Sequence, residues 1–296
     1  MDRQTFNGRA DLNEMRQIVM ERARVMGPCT NLHPGDIAHR IYSGSRRQNL
    51  DEVVPVYVDG DGVAGFGIIW PQDRAFDVVT RVGLDSHAVA NVVEDLVAIA
   101  GEGSGVETDV IGDDPEMTDI LTTLGFTPGA GEYVVTQARL DVPIPPEPID
   151  FVIRSATYGD AEQLALVHSG AFASGWSQAN YADRMYKPGY DPGNEIVAVD
   201  AHGTFMGFTI TWYDELNGVG HFEPVGVHRD FHRQGVGSAL LRAGMARMRD
   251  AGMASATVWH GSAEDRAVAF YESNGFTPVN PVTRWQRGQP SGISIQ

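Results

Sequence analysis

A glycine pair at the start of a helix-like segment is the feature of this sequence whose residue types and spacing most clearly suggest chemistry. The segment runs from Val225 to Ser238 and reads VGVHRDFHRQGVGS. Gly235 and Gly237 let backbone N–H groups approach an anion closely, and the first amides of a helix carry about half a positive charge. The pattern therefore predicts a diphosphate site. A tight strand-to-helix turn without a ligand stays open as the alternative, because a single Gly-x-Gly is a weak signal.

The charges around this segment differ from those of the rest of the chain. Residues 228–249 contain five arginines and two histidines against one acid, Asp230. The whole chain carries 39 acidic and 22 basic residues, a formal net charge of −17. So acidic a protein repels phosphate backbones, which argues against nucleic acid as a partner, whereas the basic segment suits a small anion. The five arginines are Arg229, Arg233, Arg242, Arg247 and Arg249.

Composition and motifs exclude several other classes. With 296 residues, 42% hydrophobic and 21% charged, the chain is long enough for two globular domains. It has no run of about 18 apolar residues and begins with the polar Met1-Asp2-Arg3-Gln4, so we expect a cytoplasmic protein without a membrane segment. A single cysteine, Cys29, and the lack of HExxH and GxSxG spacings argue against disulfides, metal centres and serine hydrolase chemistry.

The elements that would position the glycine segment follow from apolar periodicity and turn residues. Residues 157–160 have the spacing of a capping box, and Asn217-Gly218 is a strong hairpin signal. Predicted strands cover 151–154, 195–199, 205–213, 220–227, 256–259 and 282–285, and predicted helices start at 157–160 and cover 177–186, 235–251 and 265–274. We therefore expect an α+β domain built around a largely antiparallel sheet.

Paired signatures indicate that the chain contains two related halves. Residues 58–60, 65–70 and 124–128 match 199–201, 207–212 and 274–278. The offset is 141 to 142 for the first two matches and 150 for the third, so the second half has about eight extra residues between them. The glycine segment lies within this interval, and we expect the chemistry there.

A proline-rich segment separates the two halves. Residues 142–148 read VPIPPEP, and four prolines in seven residues can neither continue a helix nor lie in a central strand. A semi-rigid linker fits this composition. We predict an N-terminal domain over 1–142, a linker over 143–150 and a C-terminal domain over 151–296.

Two motifs in the second half resemble signatures of the GCN5-related N-acetyltransferase (GNAT) superfamily. The acetyl-CoA signature Arg/Gln-x-x-Gly-x-Gly/Ala appears as HRQGVG over 232–237, with histidine in its first position. The signature Asn-x-x-Ala-x-x-hydrophobic-Tyr-Glu-x-x-Gly-Phe appears as EDRAVAFYESNGF over 264–276, with glutamate in place of asparagine. The resemblance covers 151–285. Residues 10–140 resemble a degenerate copy without Gly-x-Gly, so the chain is similar to tandem GNAT proteins, an arrangement shared with mycothiol synthase.

The resemblance implies a fold class, a cosubstrate and a set of binding residues. The implied fold is α+β, with two tandem GNAT-like domains, each a mixed, largely antiparallel sheet flanked by helices. Acetyl-CoA is the implied acyl donor, and no metal ion is expected. The residues assigned to acetyl-CoA are Val225, Gly226, Val227, His232, Arg233, Gln234, Gly235, Val236, Gly237, Ser238, Glu264 and Arg266.

Acetylation of an amine needs a base, because an alkyl amine with a pKa near 10.4 is neutral in only about one molecule in 10³ at pH 7. The resemblance implies Glu223 as that base, directly or through water, and Tyr271 as the acid that protonates the CoA thiolate or holds its sulfur. It also assigns the amides near Val225 and Val227 to the thioester carbonyl. The structural alternatives are an exposed or ion-paired strand acid for Glu223 and a half-buried helix aromatic for Tyr271.

Other residues carry weaker predictions. His260, near the end of a predicted strand, is a reserve base or a packing residue. Aromatic residues also occupy the stretch between the first helix and second strand of this half, which in the GNAT family forms the acceptor wall, and core packing suits them equally. They are Trp176, Tyr181, Tyr186 and Tyr190.

We therefore expect an acetyl-CoA-dependent N-acetyltransferase that moves acetyl to a primary amine of a small molecule by direct, base-assisted attack. The alternative is a non-catalytic acyl-CoA-binding or sensing module, because Glu264 departs from the family pattern and the first half lacks the glycine motif. The expected partners are acetyl-CoA and a small amine, without nucleic acid or membrane, and a homodimer is one option for assembly. The identity of the acceptor amine stays open.

Overall fold

The described part of the chain forms two compact units, each a sheet with flanking helices. The computed structural model describes residues 1–27, 32–44, 49–101, 105–131, 133–142 and 150–288. The first unit contains Met1–Val135, Gly261–Ala263 and the chain from Val279 onward. The second contains Thr136–His260 and Glu264–Pro278.

The first unit carries most of the elements of the first half of the chain. Its helices are α1 (Gly8–Met26), α2 (Asp36–His39), which continues as a π-helical turn over Arg40–Gly44, α3 (Leu50–Val53), α4 (Ser86–Gly101) and α5 (Pro115–Thr123). Its strands are β1 (Asp2–Gln4), β2 (Val56–Asp59), β3 (Gly62–Trp70), β4 (Ala75–Thr80), β5 (Val106–Ile111) and β6 (Thr127–Pro128). Strands β1 to β5 lie side by side in that order, antiparallel except for the parallel pair of β4 and β5.

The second unit repeats this plan. Its helices are α6 (Ala161–Phe172), α7 (Gln178–Met185), α8 (Val236–Asp250) and α9 (Asp265–Ser273). The remaining strands are β7 (Tyr133–Arg139), β8 (Val152–Ser155), β9 (Glu195–Val199), β10 (Phe205–Asp214), β11 (Val219–Val227), β12 (Ser255–Gly261) and β13 (Thr277–Arg287). The sheet order is β7-β12-β11-β10-β9-β8, with β11 and β12 parallel and the three pairs from β8 to β11 antiparallel. This confirms the expected fold class, a mixed sheet flanked by helices.

Local sequence explains where these elements begin and end. The predicted capping box forms between Thr157 and Asp160 ahead of α6. Ser177 caps α7, because its Oγ accepts a hydrogen bond from the Asn180 N–H at 3.2 Å. Gly252 has φ of 89° just past the end of α8, a conformation that glycine adopts without strain.

Helices cover both faces of the second sheet. Helices α6 and α7 pack on one face, where Phe208 and Val197 are buried among Leu164 and Tyr181. Helix α8 packs on the other, and its Leu241 contacts the cluster around Phe222, Tyr271 and Phe276. Strand β11 lies between these layers, so residues at its end are held from both sides.

The last strands of the two halves do not follow the predicted domain boundaries. From Thr136 on, β7 belongs to the second unit and lies beside β12, although it precedes the predicted linker. From Val279 on, β13 belongs to the first unit, where Val282 to Arg287 pair with β5. A strand's own pattern encodes which face is buried but not which sheet edge it joins, so periodicity assigns the 282–285 strand only to its neighbours in sequence. The predicted linker lies outside the described residues except for Asp150.

The extra residues of the second half occur at two places. Thr80 lies 15 positions after Gly65, its partner across β3 and β4, whereas Val227 lies 20 positions after Gly207, its partner across β10 and β11. Six positions lead from Thr80 to the first residue of α4, and nine lead from Val227 to the first residue of α8. Five extra residues therefore lie in the hairpin and three in the loop before the helix, which together make the predicted eight.

Candidate active site

Strand β11 separates from β12 in the middle of the second sheet. The two strands pair from Val219 to Phe222 on β11, and in the described part of the chain their pairing ends there. On the other side of β11, the register with β10 shifts so that Glu223 and Pro224 both lie opposite Ile210. The peptide bond between Glu223 and Pro224 is cis. The predicted base thus lies at the point where the sheet opens.

The ladder pattern directs two backbone amides into this opening. The His228 N–H donates to the Met206 carbonyl at 2.9 Å, so these two residues form a hydrogen-bonded pair. Because such pairs alternate along an antiparallel ladder, the N–H groups of Val225 and Val227 point away from β10. The His232 Nε2–H donates to the Val227 carbonyl at 3.1 Å, which agrees with this direction. The predicted amides therefore line the edge that β12 leaves uncovered.

The glycine segment forms an open helix start. A 3₁₀ turn over Arg229–Phe231 leads to Arg233 and Gly235, which have φ of 66° and 77°. No side chain of the described residues caps α8, so its first amides are available to a ligand. A Cβ at Gly237 would lie 2.9 Å from the Phe270 ring, so glycine there permits close packing of α9 on the first turn of α8.

Four arginines of the basic segment lie near the two ends of α8. Arg247 donates to the Ser155 hydroxyl at 2.8 Å and to the Gly193 carbonyl at 3.1 Å, and Arg249 pairs with Asp250. Both lie in the last turn of α8, about 20 Å from its start at 1.5 Å per residue. Arg229 and Arg233 are exposed in the loop before the helix and make no ion pair within the described ranges. These two arginines are therefore the ones at the open helix start.

Tyr271 lies beside acidic groups of the site. It is 8% exposed on α9, and burial raises the pKa of its hydroxyl, with further contributions from Glu223 and Glu264. The His260 ring stacks on the Tyr271 ring with centroids 4.8 Å apart and planes inclined by 20°. The structure thus brings Glu223, Tyr271 and His260 into one neighbourhood, and the Tyr271 hydroxyl keeps its proton at neutral pH.

Two other predicted residues lie at the start of α9. Glu264 is the residue before the helix, exposed, and its carboxylate makes no capping hydrogen bond among the described residues. Arg266 is also exposed in the first turn. Both are exposed to solvent, and Glu264 is still close enough to Tyr271 to contribute to its raised pKa.

The aromatic residues of the predicted acceptor wall are divided between core and surface. Tyr181 is fully buried and donates a hydrogen bond to Glu195, and Tyr190 donates to the same carboxylate at 2.6 Å. Arg184 lies 3.5 Å from Glu195 and 5.1 Å from the centre of the Tyr181 ring. Tyr186, in contrast, is 74% exposed. For Tyr181 and Tyr190 the core interpretation is the observed one, in a buried network that the sequence pattern did not indicate.

Two further pairs near the site were not predicted. His221 Nδ1 lies 2.8 Å from Thr257 Oγ1, and this hydroxyl donates to the Gly220 carbonyl. The other pair is Asn274 and Ser238, whose side chains lie 3.2 Å apart. In the sequence, His221 stands out only because it lies two positions before Glu223, and Asn274 only because it falls within the second family motif. Neither position predicts which residue the side chain contacts.

Comparison with known proteins agrees with this geometry. The model of the acetyltransferase (GNAT) family matches residues 161–276. A mycothiol acetyltransferase from Thermobispora bispora is 28% identical over 233 residues, which cover 74% of this chain and 78% of that protein. Another, from Mycobacteroides abscessus, is 25% identical over 285 residues, 89% of this chain and 91% of that protein. The structure of a tandem GNAT protein from the clavulanic acid biosynthesis pathway, without AcCoA, matches with a TM-score of 0.65 at 13% identity, over 96% of this chain and 97% of that one.

The splayed strands, the open helix start and the repeated plan define the class of N-acetyltransferases, enzymes that transfer acetyl to an amine. Residues 161–276, in the second half of the chain, form a domain of the GNAT superfamily. GNAT acetyltransferases use acetyl-CoA as cosubstrate. Within the described ranges, no helix combines the length and the hydropathy that a membrane span requires.

Proposed function

We propose that the second unit transfers acetyl from acetyl-CoA to a primary amine of a small molecule by direct attack, with Glu223 as base and Tyr271 as acid. The observation that carries this proposal is the electrostatic proximity of Glu223 and Tyr271 at the point where β11 leaves β12. An acid and a base close to each other at one opening suit a reaction in which one group loses a proton and another gains one.

The helix start and the strand edge support binding of the acyl donor. The first amides of α8, together with Arg229 and Arg233, provide donors and positive charge for a diphosphate. The amides of Val225 and Val227 are directed into the opening, where they would polarise a thioester carbonyl. When bound, acetyl-CoA supplies the activated acetyl group and a thiolate leaving group.

Glu223 and Tyr271 have opposite tasks. The Glu223 carboxylate takes a proton from the amine, directly or through water, as the nitrogen–carbon bond forms. The Tyr271 hydroxyl, protonated because burial and the nearby carboxylates raise its pKa, gives its proton to the departing sulfur. His260, stacked on Tyr271, limits the rotation of that ring.

The relatives supply a candidate for the acceptor. Two of them, which this chain matches over 74% and 89% of its length, are mycothiol acetyltransferases. We propose the amine that those enzymes acetylate as the first acceptor to test. The net charge of −17 would attract an acceptor that carries a positive charge.

Calorimetry with CoA and acetyl-CoA tests the donor site. We expect one site per chain, and an Asp in place of Ser238 should lower the affinity at least tenfold because its carboxylate repels the diphosphate at the start of α8. The same carboxylate favours a helix N-terminus, so the fold should tolerate it. Ala88→Asp is the matched control, since Ala88 is the third residue of α4 as Ser238 is of α8.

Two results would contradict the proposal. Equal loss of affinity in Ser238→Asp and Ala88→Asp would show that the charge acts at a distance and not at α8. A folded protein that binds acetyl-CoA but releases no CoA with any amine, including the acceptor of the mycothiol acetyltransferases, would leave a binding module and remove the catalytic roles of Glu223 and Tyr271.

A further inference from the structure

The C-terminal end of α9 contacts the first turn of α8 at two residues of that turn, Gly237 and Ser238. The Phe270 ring occupies the space beside Gly237, and the Asn274 Nδ2 lies 3.2 Å from the Ser238 Oγ. The same α9 carries Tyr271. Residues on both sides of Tyr271, Phe270 before it and Asn274 just after the helix, therefore support the place where the diphosphate of the acyl donor is proposed to bind.

Hydrogen bonding determines which way the Asn274 amide is turned. Its nitrogen donates to the Phe270 carbonyl at 2.8 Å, and a carbonyl oxygen only accepts, so the NH₂ group must be on that side. The second N–H of the same group is then available for the Ser238 Oγ. The Asn274 Oδ1, in contrast, has no hydrogen-bond partner in the described part of the chain. Water does not reach it either, because the oxygen is buried and the residue is only 8% exposed.

This arrangement has a cost that an apolar residue would avoid. A buried carbonyl oxygen without a partner destabilises the fold, because it gives up its hydrogen bonds to water. The backbone does not require asparagine either, since φ of −99° at this position suits any L residue. The hydrogen bonds donated by the Asn274 NH₂ group therefore offset the energetic cost of its unpaired carbonyl oxygen.

The Ser238 hydroxyl has one proton that it can donate, and the hydrogen bond from Asn274 does not involve that proton. Because the Asn274 nitrogen donates to the Ser238 Oγ, that oxygen acts as acceptor, and within the described ranges no hydrogen bond uses the hydroxyl proton. Ser238 is the third residue of α8, among the amides at the helix start.

We propose that Asn274 is a positioning residue for the acyl donor. By holding the Ser238 oxygen as an acceptor, it leaves the Ser238 O–H proton for a diphosphate oxygen at the start of α8. This inference rests on the proposed function, since it requires that a CoA thioester binds there. It assigns to residue 274 a role in donor binding that acts through Ser238 and not through contact with the reacting atoms.

A double-mutant cycle measured by calorimetry with CoA tests the inference. Asn274→Leu removes the donor at similar volume, and Ser238→Ala removes the hydroxyl. We expect each single variant to weaken CoA binding about 5- to 20-fold, as for one hydrogen bond to a charged group, and the double variant to bind no more weakly than Ser238→Ala. Thr122→Ala is the control, because the exposed Thr122 hydroxyl also donates to a helix carbonyl, that of Thr118 at 2.7 Å, but does not contact Asn274 or Ser238.

Kinetics with a second acyl donor distinguish a positioning role of Asn274 from a general loss of structure in the variant. S-acetylpantetheine has the same thioester but no diphosphate, so Asn274→Leu should leave its kcat/KM unchanged while raising the KM for acetyl-CoA. Thermal unfolding checks that the variant is folded, and Asn274→Ala replaces it in the same cycle if leucine prevents folding.

Three outcomes would overturn the inference: wild-type affinity for CoA in Asn274→Leu, additive losses in the double variant, or equal losses with S-acetylpantetheine. Failure of the proposed function looks different. The cycle needs no amine, so a wild-type protein that binds CoA and acetylates nothing would refute the catalytic proposal and still give a readable cycle.

Discussion

At the scale of single residues, an acid recurs at one register position in both units. Gly65 and Gly207 are matched in the repeat, so Ile68 corresponds to Ile210. Ile210 lies opposite Glu223 and Pro224, and Ile68 lies opposite Asp77 on β4. The surroundings differ, because Asp77 pairs with an arginine at 3.0 Å. The same position in the sheet therefore carries an ion pair in one unit and the proposed base in the other.

Replacement of Glu223 by glutamine should remove the base and keep the side chain's shape. We expect kcat/KM to fall about 10²- to 10⁴-fold at pH 7, with the acidic limb of the pH–rate profile lost, because glutamine has no ionisation in that range. Initial rates of CoA release from pH 5 to 9 measure this. Glu215→Gln, an exposed acid in the turn after β10, is the control and should keep the wild-type profile. A normal acidic limb in Glu223→Gln would assign the base elsewhere, with His260 as the next candidate.

The raised pKa of Asp77 predicts that the free energy of unfolding depends on pH. Burial raises the pKa of this carboxyl from 3.8 to about 6, although Arg40 acts in the opposite direction. A raised pKa means that the folded state favours the protonated form, so this contribution to stability is full below pH 3.8 and is lost as the pH rises through 6. Asp77→Asn abolishes the titration, and its stability relative to wild type should rise by about 2 kcal/mol between pH 4 and pH 7.5.

Chemical denaturation at these two pH values provides the measurement for Asp77. Asp113→Asn, at an exposed site of the same unit, serves as the comparison and should show no such change. A constant difference between Asp77→Asn and wild type at both pH values would mean that Asp77 titrates normally in the fold.

At the scale of elements, the two units differ at the helix that follows the splayed strand. Helix α8 starts with a glycine and no side-chain cap, whereas the carboxylate of Asp85 accepts the His87 N–H at 3.0 Å at the start of α4. A carboxylate at this point occupies the place where an anion would bind and repels it. This contrast accounts physically for the expected single CoA site per chain.

The loop before α8 is held from the other face of the sheet by α6. A Cβ at Gly170 would lie 1.7 Å from a ring carbon of His228, so Gly170→Ala must displace the first residue of this loop. We expect CoA affinity to fall about tenfold, although alanine by itself favours a helix. Calorimetry measures the effect, and adding His228→Ala to Gly170→Ala should restore most of the affinity by removing the clash.

The control for this prediction is Gly159→Ala, where the nearest atom to the added Cβ is 3.7 Å away, an ordinary contact. Unchanged affinity in Gly170→Ala, in a protein that unfolds at the wild-type temperature, would show that the loop tolerates movement of His228 and that its position does not set donor binding.

At the scale of the whole molecule, each unit is completed by a strand from the other half of the chain. Ala138 on β7 and Leu140, just after it, are 3% and 0% exposed in the core of the second unit, beside Phe222 and Met253. A fragment cut at the proline-rich segment loses both. We expect residues 151–288 to be less stable than residues 133–288 by about 3 to 5 kcal/mol, because a buried leucine and a strand are missing.

Denaturant unfolding of the two fragments measures this difference. Both lack β5, the partner of β13, so the comparison isolates the contribution of β7. Equal stability would mean that the second half of the chain folds without its exchanged strand, as the predicted boundaries at 143–150 suggest.

The sequence by itself determined the local features of this protein. Except for β13, which begins five residues before its predicted start, the elements of the second half match their predicted ranges within two residues. The reason is that capping residues, glycines with positive φ and apolar periodicity act over one or two turns of chain. The glycine segment and the second motif identified the superfamily for the same reason, since each is a continuous stretch that must contact one ligand or one helix.

Tertiary structure alone decided what depends on partners distant in the chain. The exchange of β7 and β13, the buried pair of Arg184 and Glu195 and the contact of Asn274 with Ser238 join residues 11 to more than 100 positions apart. Nothing in a local pattern specifies such a partner, because periodicity records which face is buried and not what covers it. The position of Glu223 at the strand opening is of the same kind, since it results from the register of three strands taken together.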